Sequence, residues 1–129
     1  MVSTADLARL ETLTDHAQRN ALALALGEAR IPGLPEVLTR LIQRPDLRAH
    51  RGALVHVLGF YDCSPYLPLL VELIVDGNWE CAHEAFEIID TLEAVDDEDA
   101  ETALAKARAA RPTEDWRAEL VDDLLALFD

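Results

Sequence analysis

A chain of 129 residues, half of them apolar and only 5% aromatic, is long enough to bury its own core and too apolar to stay disordered. Its 11 Lys and Arg stand against 25 Asp and Glu, a formal charge of −14. That balance argues against nucleic acid, whose phosphates need cations, and against anionic membrane surfaces; it suits a basic partner, or serves solubility alone.

Leu and Ala dominate, which favours helices over sheets. The chain reads as eight helices. Thr4 is placed to cap the first, which runs to about residue 13. Thr14 or Asp15 caps the second, to about residue 29, and Ile31-Pro32-Gly33 breaks the chain. Pro35 sits in the first turn of the third helix, about 35 to 43. Arg44-Pro45-Asp46 turns the chain into a fourth helix over about 47 to 60, with His50 near the centre of its apolar face. After Asp62-Cys63-Ser64-Pro65, Ser64 caps a fifth helix carrying Leu67, Leu70, Val71 and Ile74, ended by Asp76-Gly77-Asn78. The sixth spans about 79 to 92. The acidic run 96 to 99 opens the seventh, where carboxylates suit the positive end of the helix dipole. Pro112 ends it, and Thr113 caps the last helix, through Phe128.

The two cysteines, Cys63 and Cys81, are too few for a disulfide framework and read as thiols in helical packing. No apolar run approaches the ~20 residues that cross a bilayer, and the first ten residues lack a basic stretch and an apolar stretch. The expected location is cytoplasmic.

One pattern recurs. Arg19-Asn20-Ala21-Leu22 through Leu26-Gly27 matches Arg51-Gly52-Ala53-Leu54 through Leu58-Gly59, as R-x-A-L-x-x-x-L-G at an offset of 32. The offset also carries Leu41-Ile42 onto Leu73-Ile74 and Leu47 onto Trp79. One residue of slippage then aligns Ala49-His50 with Ala82-His83, leaving Glu84 where Arg51 would fall.

This motif resembles the second helix of a HEAT repeat. The resemblance is good over residues 14 to 60 and looser over the third pair, while the fourth pair, 97 to 128, looks like a terminal cap. It implies one all-α domain over 1 to 129, a right-handed α-α superhelix of about four antiparallel helix pairs. In such a solenoid stacked pairs bury one continuous core and expose a ridge of second helices. HEAT-like proteins mostly bind other macromolecules on such surfaces. The analogy also gives Arg19 and Arg51 a structural role, with an Asp of a neighbouring turn as partner and Asp46 the candidate for Arg51.

The charge is unevenly placed. Residues 1 to 44 are neutral, 45 to 81 carry −3 and 82 to 129 carry −11. At 100° per residue, Glu80, His83, Glu84, Glu87 and Asp90 share one side of the sixth helix, opposite Ala82, Ala85, Phe86 and Ile89. On the last helix Asp115, Glu119, Asp122 and Asp123 oppose Trp116, Leu120, Val121 and Leu124. Carboxylates at i and i+4 repel by a few tenths of a kcal/mol, a cost that a cationic partner offsets. Two readings stand here, a solvated face and a docking surface.

Catalysis finds no support. HEAT-type deoxyhypusine hydroxylases hold two irons with several His-Glu pairs, and only His83-Glu84 is present here. His83 and Glu87 are spaced for a metal but lack a third ligand. No Gly-rich phosphate loop and no Ser-His-Asp or Cys-His set appears, so no catalytic residue, metal or cofactor is assigned. Trp79 and Trp116, near helix starts, read as packing anchors between pairs. Tyr61 and Tyr66 flank the Cys63-Ser64-Pro65 turn as a rim of interface aromatics.

The sequence is therefore read as a non-enzymatic binding module, monomeric when free. Its expected partner is a basic protein, and its size and segregated charge resemble immunity proteins that neutralise bacterial toxins, nucleases among them. The partner-binding set is Glu80, His83, Glu84, Glu87, Asp90, Asp115, Glu119, Asp122 and Asp123, with Tyr61 and Tyr66. A general HEAT-type adaptor is the alternative; a metal enzyme or lyase accessory is a further one.

Overall fold

A computed structural model of the chain describes residues 1–128. Among them are eight α-helices and no strand: α1 (Asp6–Thr12), α2 (His16–Glu28), α3 (Leu34–Ile42), α4 (Gly52–Leu58), α5 (Leu67–Asp76), α6 (Trp79–Asp90), α7 (Asp97–Ala109) and α8 (Asp115–Leu127). No helix among the described residues is long and apolar enough to cross a membrane. The helices fall into two compact units, residues 1 to 61 and 62 to 129.

In the first unit α1 packs on α2 and α3, α2 on α4, and α3 on α4. Leu10, Leu22, Leu26, Leu34, Leu38, Leu41, Leu54 and Leu58 fill its core. Gly27, in the last turn of α2, lies where α4 comes close. A Cβ there would lie 2.5 Å from Val57 Cγ1 and 2.9 Å from Phe60 Cδ2, and valine has little rotamer freedom to retreat. Its counterpart in the repeat, Gly59, is the exposed C-cap of α4 in ordinary helical backbone. The two glycines of the motif thus do different work. Gly33 starts α3 at φ +89°, a conformation that favours glycine.

In the second unit α5 is the central helix, packed on α6, α7 and α8. Leu67, Leu70, Val71, Leu73 and Ile74 are all buried, as a helix with neighbours on several sides requires. α6 and α7 each pack on α8 as well. Cys63 and Cys81 are buried thiols, and burial pushes Cys63 up to about 11.

Helix starts depart from the expected caps in instructive ways. Asp15 and Asp96 cap α2 and α7, accepting from Gln18 and from Glu98 and Asp99. Thr4 does not cap α1; Asp6 instead reaches back to the Ser3 amide at 2.9 Å. Ser64 does not cap α5, because its hydroxyl donates to Asp62 and Ser64–Tyr66 forms a 3-10 turn. Thr113 does not cap α8, which begins after Glu114. The cap of α6 is Asn78, whose side chain accepts from the Cys81 amide.

The largest correction concerns the fourth helix. Pro45–Leu47 is a 3-10 turn that buries Leu47, and α4 starts only at Gly52. His50 therefore leaves the expected apolar face. It is exposed, and its ring stacks on His16 with centroids 3.6 Å apart.

Three buried arginines explain much of this backbone. The last carbonyls of a helix have no partner within it, and they carry the negative end of its dipole. Arg19, only 2% exposed, donates from Nη2 to the Leu13 carbonyl at the end of α1 (2.7 Å). Arg51 donates to Ile42, the last residue of α3 (3.3 Å). It does not bond Asp46, which accepts from Arg44 at 2.7 and 3.1 Å. Arg117 donates to Ile74 and Gly77 at the end of α5, both at 2.8 Å. α6 carries Glu84 at the repeat position of Arg51, and α8 supplies the arginine instead.

Gly27→Ala is expected to destabilise the first unit by about 1–3 kcal/mol through overpacking, whereas Gly59→Ala is expected to stay within about 0.5 kcal/mol of the parent. Urea unfolding followed by far-UV circular dichroism compares them. Equal effects would refute the close-approach role of Gly27.

Candidate functional site

The division into units is also a division of charge. The first unit holds seven basic and six acidic residues, net +1; the second holds four and nineteen, net −15. The cations of the second unit serve its own backbone and a few carboxylates. Lys106 lies 3.3 Å from Glu72 and 3.5 Å from Asp76, Arg108 pairs with Glu101, and Arg111 donates to the Ala109 and Ala110 carbonyls.

The acidic faces of α6 and α8 are where helical spacing puts them. Glu80, Glu87 and Asp90 are exposed, with His83 and Glu84 half-buried; Asp115, Glu119, Asp122 and Asp123 are exposed on α8. Tyr61 belongs to the first unit, half-buried, with its hydroxyl donating to the Ile31 carbonyl at 2.9 Å. Tyr66 is half-buried in the 3-10 turn before α5, in the second unit. No group of three or more His, Cys, Asp or Glu among the described residues is arranged to hold a metal ion.

What the spacing did not reveal is the aromatic contact between the two acidic helices. Trp79 is not a buried anchor: it is 58% exposed at the first position of α6. Its indole stacks on the His83 imidazole one turn later, centroids 4.1 Å apart and planes 30° apart. His83 in turn lies 5.6 Å from the ring of Trp116, at the start of α8. Trp116 is half-buried, and the guanidinium carbon of Arg117 sits 4.4 Å from its centroid. His83 Nδ1 is 2.8 Å from the Trp79 carbonyl. A carbonyl only accepts, so Nδ1 carries the proton and the ring is held in one orientation. The i, i+4 spacing of Trp79 and His83 was the available signal; the meeting with Trp116 depends on tertiary packing.

Arg117 anchors the inner end of this row. Beyond its two carbonyls it forms a paired contact with Glu114, Nε to Oε1 and Nη2 to Oε2, each 2.9 Å. The guanidinium bonds hold the Glu114 carboxyl down to about 2, against an ordinary 4.5. Beside it Val75, Asp76, Arg111, Pro112 and Thr113 line an open cleft of about 330 Å³. The charged groups there already satisfy one another or the backbone, so the cleft offers no converging set for a small molecule.

Because the folded value of Glu114 is depressed, its contribution to stability is present above about pH 4.5 and is lost as pH falls towards about 2. The difference in melting temperature between the parent and Glu114→Gln is expected to shrink over that window; a constant gap would refute the linkage. Arg117→Met is expected to cost about 2 kcal/mol or more, since it leaves the buried Ile74 and Gly77 carbonyls without donors. Tryptophan fluorescence in urea reads it, because both tryptophans lie in the second unit.

No family model, no curated protein and no solved structure matches this chain.

Proposed function

We propose that this chain is a HEAT-type α-solenoid binding module whose second unit presents an acidic surface to a basic protein. In its most specific form it is an immunity protein that neutralises a bacterial toxin, such as a nuclease, by direct binding. One observation carries the reading: the whole negative surplus lies in the second unit, which also exposes Trp79. Solubility alone explains an acidic surface but gives no reason for a large exposed indole. Interface cores favour Trp and Arg, and surrounding charge sets the encounter rate and rejects partners of like sign.

The helix packing inside each unit adds support for the repeat reading. First helices meet first helices and second helices meet second, α1 with α3 and α2 with α4, then α5 with α7 and α6 with α8. Stacked helical pairs pack in that way. A nuclease toxin would have a cationic substrate cleft, and a carboxylate-rich surface competes for it as phosphate does.

Co-expression with the product of the adjoining gene tests the proposal. Expected are rescue of growth and a complex that weakens steeply as salt screens its charges. The triple reversal Asp115→Lys/Glu119→Lys/Asp122→Lys is expected to weaken the complex by on the order of tenfold or more, mainly through slower association. A general adaptor would bind without rescuing growth. An acidic partner, or binding indifferent to salt, would sink the charge reading.

A further inference from the structure

Four side chains of the second unit touch in succession: Trp79 with His83, His83 with Trp116, and Trp116 with the guanidinium of Arg117. One end of the succession is closed by an arginine of the chain itself, its charge matched by the paired contact with Glu114. The other end is Trp79, 58% exposed and followed at once by the exposed carboxylate of Glu80. The indole is already stacked on His83, whose own ring is tied to the Trp79 carbonyl. Little side-chain freedom remains to be lost on binding, which is what a pre-organised contact requires.

We infer that Trp79 is the seat of an arginine side chain from the basic protein partner, its guanidinium stacked on the indole within a unit of net −15. The inference rests on the reading of the second unit as a surface for a basic protein. The chemistry selects among cations. A guanidinium is planar, weakly hydrated and stacks on a single ring face, as Arg117 already does on Trp116. A lysine ammonium is compact and strongly hydrated, and gains less from one flat face. A quaternary ammonium is recognised by several rings set as the walls of a cage. Here Trp79 and His83 are layered, with planes only 30° apart, and form no such cage. A nucleobase could stack on an exposed indole, but its phosphates would meet a unit of net −15. A second copy meeting it across a two-fold axis would bring the same negative charge to the same place.

The test uses the full chain and three blocked peptides of one glycine-spaced design, carrying arginine, lysine or trimethyl-lysine. The chain has two tryptophans, so its NMR spectrum has two indole N–H signals, and Trp79→Ala assigns them by removing one. The arginine peptide is expected to shift the Trp79 signal and to bind roughly two- to fivefold more tightly than either lysine peptide. That preference should vanish in Trp79→Ala and be reduced in Trp79→Phe, which keeps a smaller ring face. If Trp79→Ala keeps the preference, or the Trp79 signal does not move, the inference is overturned. If all three peptides bind equally and with the same salt sensitivity, the arginine seat falls while the acidic-surface reading stands. If none binds even at low salt, both fall.

Discussion

A short helix in a small core has a problem at its C-terminus. Its last carbonyls point along the axis with no amide to meet them, and burying them bare costs more than a typical hydrogen bond returns. This chain answers with arginine three times. Arg19, Arg51 and Arg117 are buried, and each places guanidinium N–H groups on the end of α1, α3 or α5. A lysine could supply the charge but not the fork that reaches Ile74 and Gly77 at once. The late start of α4 accompanies the same constraint. Arg51 stands in the N-cap place and turns back to Ile42, while the 3-10 turn before it lets Leu47 enter the core. At the start of α2 the arrangement draws in a histidine: Arg19 Nη1 lies 2.7 Å from His16 Nδ1. Burial first, and then His50 and Arg19, lower the pKa of His16, which favours the neutral ring that accepts the bond.

The distribution of charge follows from how few cations the second unit has. Its four are committed to helix ends, to backbone carbonyls and to Glu72, Asp76, Glu101 and Glu114. Glu80, Glu87 and Asp90 on α6 and Asp115, Glu119, Asp122 and Asp123 on α8 stand exposed at helical spacing, where like charges repel. Such repulsion is small per pair and screened by salt, so the fold tolerates it. The aromatic row between these helices is the exception to a purely solvated surface. It joins an exposed indole to a buried guanidinium through two intervening rings, and so ties the surface to the core of the same unit.

Much of this was legible in the sequence. Periodicity and break residues placed eight helices, because Leu and Ala at helical spacing leave little room for strands and because Pro and Gly punctuate the chain. Asp15 and the 96 to 99 run were readable as helix starts, since side chains of that kind satisfy first-turn amides locally. The exposed acidic faces of α6 and α8 follow from 100° per residue alone. What failed depended on partners distant in sequence. A helix starting at residue 47 would put His50 on its apolar face; the 3-10 turn over Pro45–Leu47 leaves it exposed before α4 begins. Asp46 looked like the partner of Arg51, but Arg44 is two residues away and takes it. Trp79 looked like a packing anchor because burial is the common fate of indoles; its exposure, and the position of His83 against Trp116, are set by how α6 packs on α8. The matching glycines also misled, since Gly27 gives way to Val57 and Phe60 while Gly59 lies open.

The arginine clamps differ in one further respect, the length of chain each one closes. Arg19 reaches back six residues to Leu13 and Arg51 nine to Ile42, whereas Arg117 reaches back 40 and 43 residues to Gly77 and Ile74. Closing a loop of about 40 residues costs roughly 1.3 kcal/mol more entropy than closing one of nine. The first unit can therefore set its helix ends while each hairpin forms. The second must bring α8 home, across the whole of α6 and α7, before the end of α5 is satisfied. The spacing of three arginines thus divides the helix ends into two kinds: those of α1 and α3 are met from within the same short stretch of chain, and that of α5 only from a residue 40 or more positions away.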